Sequence, residues 1–319
     1  MKLSILDQAP ISKGQSGLEA LENSVQLAQT AEKWGYSRYW VAEHHGFPSL
    51  ACSAPEVLLG FIGAKTKKIR IGSGAILLPY YKPYKVAEMF HMLATLMPGR
   101  IDLGIGRAPG GSAETTNALS ETFLKQVWDM PALLKELLHF LDDSFPEDHK
   151  FAKVKPMPFP KIAPKPWLLG TSKKSARLAA ENGMSYAFGH FMSDLRDGDF
   201  IREYKESFIP RKEGDQPEVI LTVSAICAET TDQAEDLAIE SYLWKLELEN
   251  DEGISQQLKT RKEIIAKIKE KTLLGTLSEL EVHLSQLTKL YEANEIMIVT
   301  ATNQFQDRLR SYQSLAQLL

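Results

Sequence analysis

Two cysteines in 319 residues, Cys52 and Cys227, are too few and too far apart for a disulfide framework or a metal knuckle. Two reduced thiols are the expectation. Long apolar runs are missing too, since none approaches the roughly 18 residues needed to span a bilayer. The opening segment KLSILDQAPIS is interrupted by Asp7 and Pro10, where a signal peptide needs an unbroken apolar core. These absences point to a cytoplasmic protein with no membrane association. Basic charge is not in excess: Lys plus Arg number 37 against 41 for Asp plus Glu, a formal net charge of −4. Nucleic-acid binding driven by overall charge is therefore not expected. There is no internal repeat, no low-complexity tract and no dinucleotide-binding glycine fingerprint.

What is present is an ordinary globular balance, 44% hydrophobic and 24% charged, which excludes a disordered chain or a collagen-like fibre. Short β-rich runs alternate with helical stretches throughout. Strand candidates lie at 2–7, 38–42, 69–76, 101–105, 166–169, 185–188, 219–225 and 295–299. Several are apolar with little alternation, as strands buried on both faces should be. Between them run 3.6-residue apolar stripes; the first puts Leu18, Leu21, Val25 and Ala28 on one side and stops at Gly35, a natural left-handed cap. Eight strand–helix units are the count for a (β/α)8 TIM-type barrel, an α/β architecture that commonly exceeds the length of a usual domain. The expectation is one barrel domain over 1–319, with a long Pro-rich loop at about 144–166 and a polar helical insertion at about 245–275.

In such a barrel the active site lies at the C-terminal ends of the strands. That rule brings Asp7, Glu43-His44-His45, Gly74-Ala75, Gly104-Ile105-Gly106-Arg107, Gly170-Thr171-Ser172, Gly189-His190 and Thr300–Asn303 to one rim. Adjacent side chains of the EHH run point apart on an extended segment, and no HExxH spacing exists, so no metal site is expected. His44 reads either as a core histidine or as a group that titrates near neutral pH and transfers protons. The run GTSKKS at 170–175 joins an apolar strand to a helix, and free N–H groups at a helix start bind anions. Simple capping by Ser172 or Ser175 is the other reading. Arg107 could pair bidentately with phosphate. The glycines of GIGRAPGG at 104–111 let the backbone pass close to something flat or bulky.

These residues carry a resemblance. RYWVAEHH, the stretch from APEVLLGFIGAK through PGRIDLGIGRAPGG, LLGTSKKSARLAAENG and the later EIMIVTAT together resemble the bacterial luciferase-like flavin monooxygenases. The likeness covers nearly all of the chain except roughly 112–160 and 240–272. It implies a TIM-type barrel and a flavoprotein oxidoreductase acting on paired donors with oxygen. FMN in reduced form, supplied by a separate flavin reductase, would be the cofactor, oxygen the co-substrate and a small organic molecule the substrate; a homodimer is one possible assembly. The resemblance assigns His44 to proton transfer beside the flavin ring. It assigns Gly74 and Ala75 to a strand-three bulge with a non-proline cis peptide, and Arg107, Thr171, Ser172 and Ser175 to the phosphate. Gly106 stands where the luciferases have a thiol, so light emission is not implied. The alternatives are a flavin or deazaflavin oxidoreductase that transfers hydride without inserting oxygen, and a non-catalytic flavin-binding relative.

Overall fold

The computed structural model describes residues 1–248 and 260–319. Eight parallel strands close a ring. β1 (Leu3–Asp7) pairs with β2 (Arg38–Val41), and the pairing continues through β3 (Arg70–Leu77), β4 (Ile101–Gly106), β5 (Lys165–Gly170), β6 (Ser185–Gly189) and β7 (Val219–Cys227). β7 then pairs through Ile220–Ser224 with the last strand, Glu295–Val299, which returns to β1. The chain is a (β/α)8 TIM-type barrel.

One strand was not among the expected eight. β8 (Thr272–Gly275) pairs with Ser224–Cys227, the part of β7 beyond its pairing with β6, which ends at Thr222. The last barrel strand is therefore β9. Residues 272–275 fall within the segment expected to be a polar helical insertion. That segment otherwise contains the end of α9 (Thr231–Leu248) and α10 (Arg261–Lys269), and its part at 249–259 lies outside the described residues. The Pro-rich stretch holds neither helix nor strand until Lys165 opens β5. Phe145 and Phe151 anchor it by packing against Phe140.

The helices on the outside start and stop where their sequences dictate. α1 (Gly17–Trp34) opens with a capping box between Ser16 and Glu19 and ends at Gly35, whose φ of 91° gives the left-handed cap. α2 (Pro55–Lys65) and α3 (Pro83–Leu96) each begin on a proline, which loses no helical hydrogen bond there. Beyond β4 lie α4 (Ala113–Leu119), α5 (Phe123–Trp128) and α6 (Met130–Asp142); α7 (Lys173–Glu181) follows β5 and α8 (Asp199–Glu206) follows β6. α11 (Leu277–Leu290) and α12 (Phe305–Leu315) follow β8 and β9.

Inside the barrel the N-terminal end is plugged by buried charge. Arg38 donates to Glu295 at 3.0 Å and to Asp102 at 2.9 Å, while Arg70 reaches the other oxygen of Asp102 at 2.6 Å. Trp40 Nε1 donates to Asp102 at 3.0 Å, and the Arg38 guanidinium lies over the Trp167 ring. An apolar layer of Leu6, Trp40, Ala42, Trp167, Ala187, Ile220, Met297 and Val299 fills the interior. Leu6, Ala42 and Ala187 of that layer also line the cavity at the C-terminal end.

Candidate active site

That cavity, about 320 Å³, is bounded by the ends of β1 through β7 and by α5. His44, Gly74, Ala75, Arg107, Thr171, Ser172 and Ser175, all expected at the site, line it together. Residues from four different strand ends thus converge on one cleft. Gln8, Glu43, Leu77, Val127, Phe191, Met192 and Thr222 line it as well. Val127 sits in the region the family likeness did not cover.

His44 follows β2, with its backbone N–H donating to Cys52 O at 3.0 Å. Its ring stands edge-on to Phe47, and its Nδ1 is buried with no partner among the described residues. Burial, reinforced by the charges of Lys245 and His45, pushes its pKa down to about 4. The imidazole is therefore neutral near pH 7, where the sequence suggested a group titrating near neutrality. His190, at the end of β6, is likewise lowered to about 4 by burial and by Arg196 and Lys271. Its ring packs edge-on to Tyr291, and only its neighbours Gly189 and Phe191 line the cleft.

The Gly74–Ala75 peptide is cis, and the pairing of β3 with β4 shifts register between Ser73 and Ile76. Arg107 is exposed at the end of β4. The loop after it turns at Gly110 with φ +61°, where a Cβ would lie 2.3 Å from Leu77 Cδ1 and 3.2 Å from Glu43 O, so glycine is required.

After the next strand, β5, α7 starts with Ser172 as N-cap, its hydroxyl accepting from Ser175 N at 3.3 Å. The Ser175 hydroxyl is itself occupied, donating to Ser172 O at 2.7 Å. Ser172, Thr171 and the free N–H groups of the first turn are thus the donors left for a ligand, and the helix dipole favours a negative one. At Gly170 a Cβ would lie 2.1 Å from Ser175 Oγ, so only glycine lets the helix start pack this closely on the strand end.

Glu43 is brought to the rim with His44 and His45 by the strand-end rule, but sequence reasoning gives it no role. It is 3% exposed, and its carboxylate accepts from Leu77 N and from the Tyr81 hydroxyl, each at 2.8 Å. His45 places Nε2 2.8 Å from Glu43 Oε1. Burial raises the Glu43 pKa, against the opposing pull of these hydrogen bonds.

A cation, a helix N-terminus, a glycine-rich strip and a neutral imidazole around one cleft at the C-terminal end of a barrel suit a phosphate-bearing planar cofactor. The family model described as luciferase-like monooxygenase matches residues 1–315. The chain belongs to the luciferase-like monooxygenase family. Among its luciferase-like relatives, the N-acetyl-S-alkylcysteine monooxygenase of Bacillus subtilis (strain 168) is 38% identical over 327 residues, covering 99% of this chain and 97% of that protein. The crystal structure of apo-MsnO8 superimposes with a TM-score of 0.85 at 33% identity, covering 99% of this chain and 97% of that one. The oxygenating constituent of 3,6-diketocamphane monooxygenase from Pseudomonas putida, solved in complex with FMN, has the same fold, with a TM-score of 0.72 at 18% identity and coverage of 100% and 96%.

Proposed function

We propose that this luciferase-like monooxygenase binds reduced FMN in the cleft and uses it with oxygen to oxidise a small organic molecule, the flavin being supplied by a separate reductase. The observation that carries the reading is the joint lining of one cavity by Arg107, the α7 N-terminus, Gly74-Ala75 and His44. FMN bound in a related structure of the same fold supports it, as does the sulfur-containing substrate class in the name of the Bacillus subtilis relative.

Reduced flavin, when bound, would supply the electrons that activate oxygen. The work left to the protein follows from its own residues. Arg107 would pair with the phosphate, with Thr171, Ser172 and the first-turn N–H groups of α7 completing the cradle. Ser175 would act by fixing that turn rather than by direct contact, since its hydroxyl is engaged. The small side chains of Gly74, Ala75 and Gly106 would let a flat ring lie against the backbone. Leu6, Ala42, Leu169 and Ala187 form an apolar wall that keeps water from the reacting atoms. His44, neutral and with Nδ1 free of any partner among the described residues, can accept a proton or pass one on without first shedding charge.

Titration of the purified protein with oxidised and reduced FMN, followed by oxygen uptake with N-acetyl-S-alkylcysteines as first substrates, tests the reading. Saturable FMN binding and oxygen uptake that forms an oxygenated product are expected. Oxidation of an alcohol by a deazaflavin without oxygen uptake would instead support hydride transfer; an F420-dependent secondary alcohol dehydrogenase shares the fold.

A further inference from the structure

We infer that Glu43 is the positioning residue of this site: one buried carboxylate holds the strand end that carries His44, the end of β3 and the β4 loop that carries Arg107. The inference rests on the flavin reading above for its catalytic consequence, but not for its structural content.

The first link runs to β3. The ladder between β2 and β3 ends at Val41 and Ser73, so past that point β2 offers no backbone acceptor to β3. The Glu43 side chain takes over, accepting from Leu77 N at 2.8 Å. Leu77 lies two residues beyond Ala75, on the far side of the register shift. A carboxylate thus replaces the missing rung and sets where the Gly74–Ala75 segment sits relative to β2.

The second link runs to the Arg107 loop. Glu43 Oε1 lies 2.8 Å from His45 Nε2, which fixes the His45 ring, and the His45 backbone N–H donates to Gly110 O at 2.7 Å. The same ring stands edge-on to Tyr80, whose hydroxyl donates to Pro109 O at 2.6 Å. Tyr81, adjacent to Tyr80, donates to Glu43 Oε1. Two bonds therefore grip the loop three residues or fewer from Arg107, and both trace back to one carboxylate.

An ordinary core position would not carry this group. Burying a carboxylate is costly unless its oxygens are well paired, and here every partner belongs to a segment that bounds the cleft. Its removal should leave the barrel closed while letting the three segments move independently.

Amide exchange in the flavin-free protein tests this directly. In Glu43→Ala, exchange at the Leu77 and His45 amides should rise about tenfold or more, the effect of losing one hydrogen bond, while the Ile296 amide in β9 stays as in the wild type. Glu43→Gln keeps an acceptor for Leu77 and should hold both amides within a few-fold of wild type. In the loaded enzyme Glu43→Ala should lower product formed per oxygen consumed, by up to about 100-fold if the reacting groups shift by an ångström, with Glu43→Gln restoring most of it. Unchanged exchange at Leu77 and His45 in a folded Glu43→Ala protein overturns the inference, as does a Glu43→Gln protein no better than the alanine one. If Glu43→Ala does not fold, Glu43→Met, which keeps the volume but offers no oxygen acceptor, takes its place under the same criteria. A wild-type protein that fails to bind FMN would sink the functional reading while leaving the exchange result to decide the role of Glu43.

Discussion

The Ser175 hydroxyl lies 2.9 Å from the Tyr186 hydroxyl, joining the first turn of α7 to β6. Ser175 also closes the capping box with Ser172, so the helix start is fixed from β6 and from its own sequence. Ser172→Ala should lower stability by about 1 kcal/mol, the usual cost of a lost N-cap, and should weaken FMN while leaving riboflavin unaffected. Tyr186→Phe should lower the melting temperature with FMN affinity held within a few-fold. Thermal melts beside flavin titrations separate the two; equal FMN affinity in wild type and Ser172→Ala would confine Ser172 to capping.

Arg107, at the end of the neighbouring strand β4, faces the same test. Arg107→Ala should weaken FMN by roughly 1.5–3 kcal/mol, the range for hydrogen bonds to charged groups, and should leave riboflavin binding nearly unchanged. The side chain is exposed, so raised salt should erode its contribution. Equal losses for the two flavins would make Arg107 a residue that shapes its loop rather than one that contacts phosphate.

The barrel was legible because its strands are short apolar runs buried on both faces, and because caps such as Gly35 and Ser172 mark helix ends in the sequence itself. The converging site was legible for the same reason, since the candidates sit near or just past strand ends and the topology brings strand ends together. β8 was not, because four residues, TLLG, are too short to stand out between a basic helix and the capping Thr276. Glu43 was visible as a neighbour of His44, but its role depends on Leu77 and Tyr81, 34 and 38 residues away, and no local pattern encodes those bonds. The neutral state of His44 likewise comes from burial and from Lys245 on α9, contacts that only tertiary folding creates.

The buried charges at the other end of the barrel should matter for stability alone. Arg38→Met leaves Asp102 and Glu295 without their shared partner in a place where both are fully or almost fully buried. A loss of about 3–5 kcal/mol is expected, as when one member of a buried ion pair is removed. Denaturant unfolding measures it; flavin affinity of the folded fraction should not move, since none of these residues lines the cleft.

His44 makes a specific contribution to pH dependence. Its folded-state pKa of about 4 lies below the ordinary 6.5, so the unfolded chain takes up a proton at a pH where the folded one does not. Stability is therefore present in full above pH 6.5 and is lost as pH falls toward 4. Between pH 7.5 and 5 the loss should amount to ~2 kcal/mol at most. His44→Phe should show a shallower decline over that window, the remaining slope containing the like contribution of His190. Urea unfolding of both proteins at the two pH values measures the difference; parallel declines would mean that His44 is protonated in the fold as readily as in water.

His44→Ala bears on the chemistry itself. The neutral imidazole lines the cleft, and its buried Nδ1 has no hydrogen-bond partner among the described residues. General acid–base catalysis typically contributes about 10²–10⁴-fold, so product formation should fall by about that factor while FMN affinity stays within a few-fold. Oxygen should still be consumed, with hydrogen peroxide released in place of product, because electrons continue to reach oxygen after the proton transfer that leads to product is lost. A histidine that serves only to hold the strand end predicts something different: melting temperature and flavin affinity would drop together, and the ratio of product to peroxide would stay where it is in the wild type. Measuring that ratio alongside the melt decides between the two, and an unchanged ratio removes His44 from the reaction.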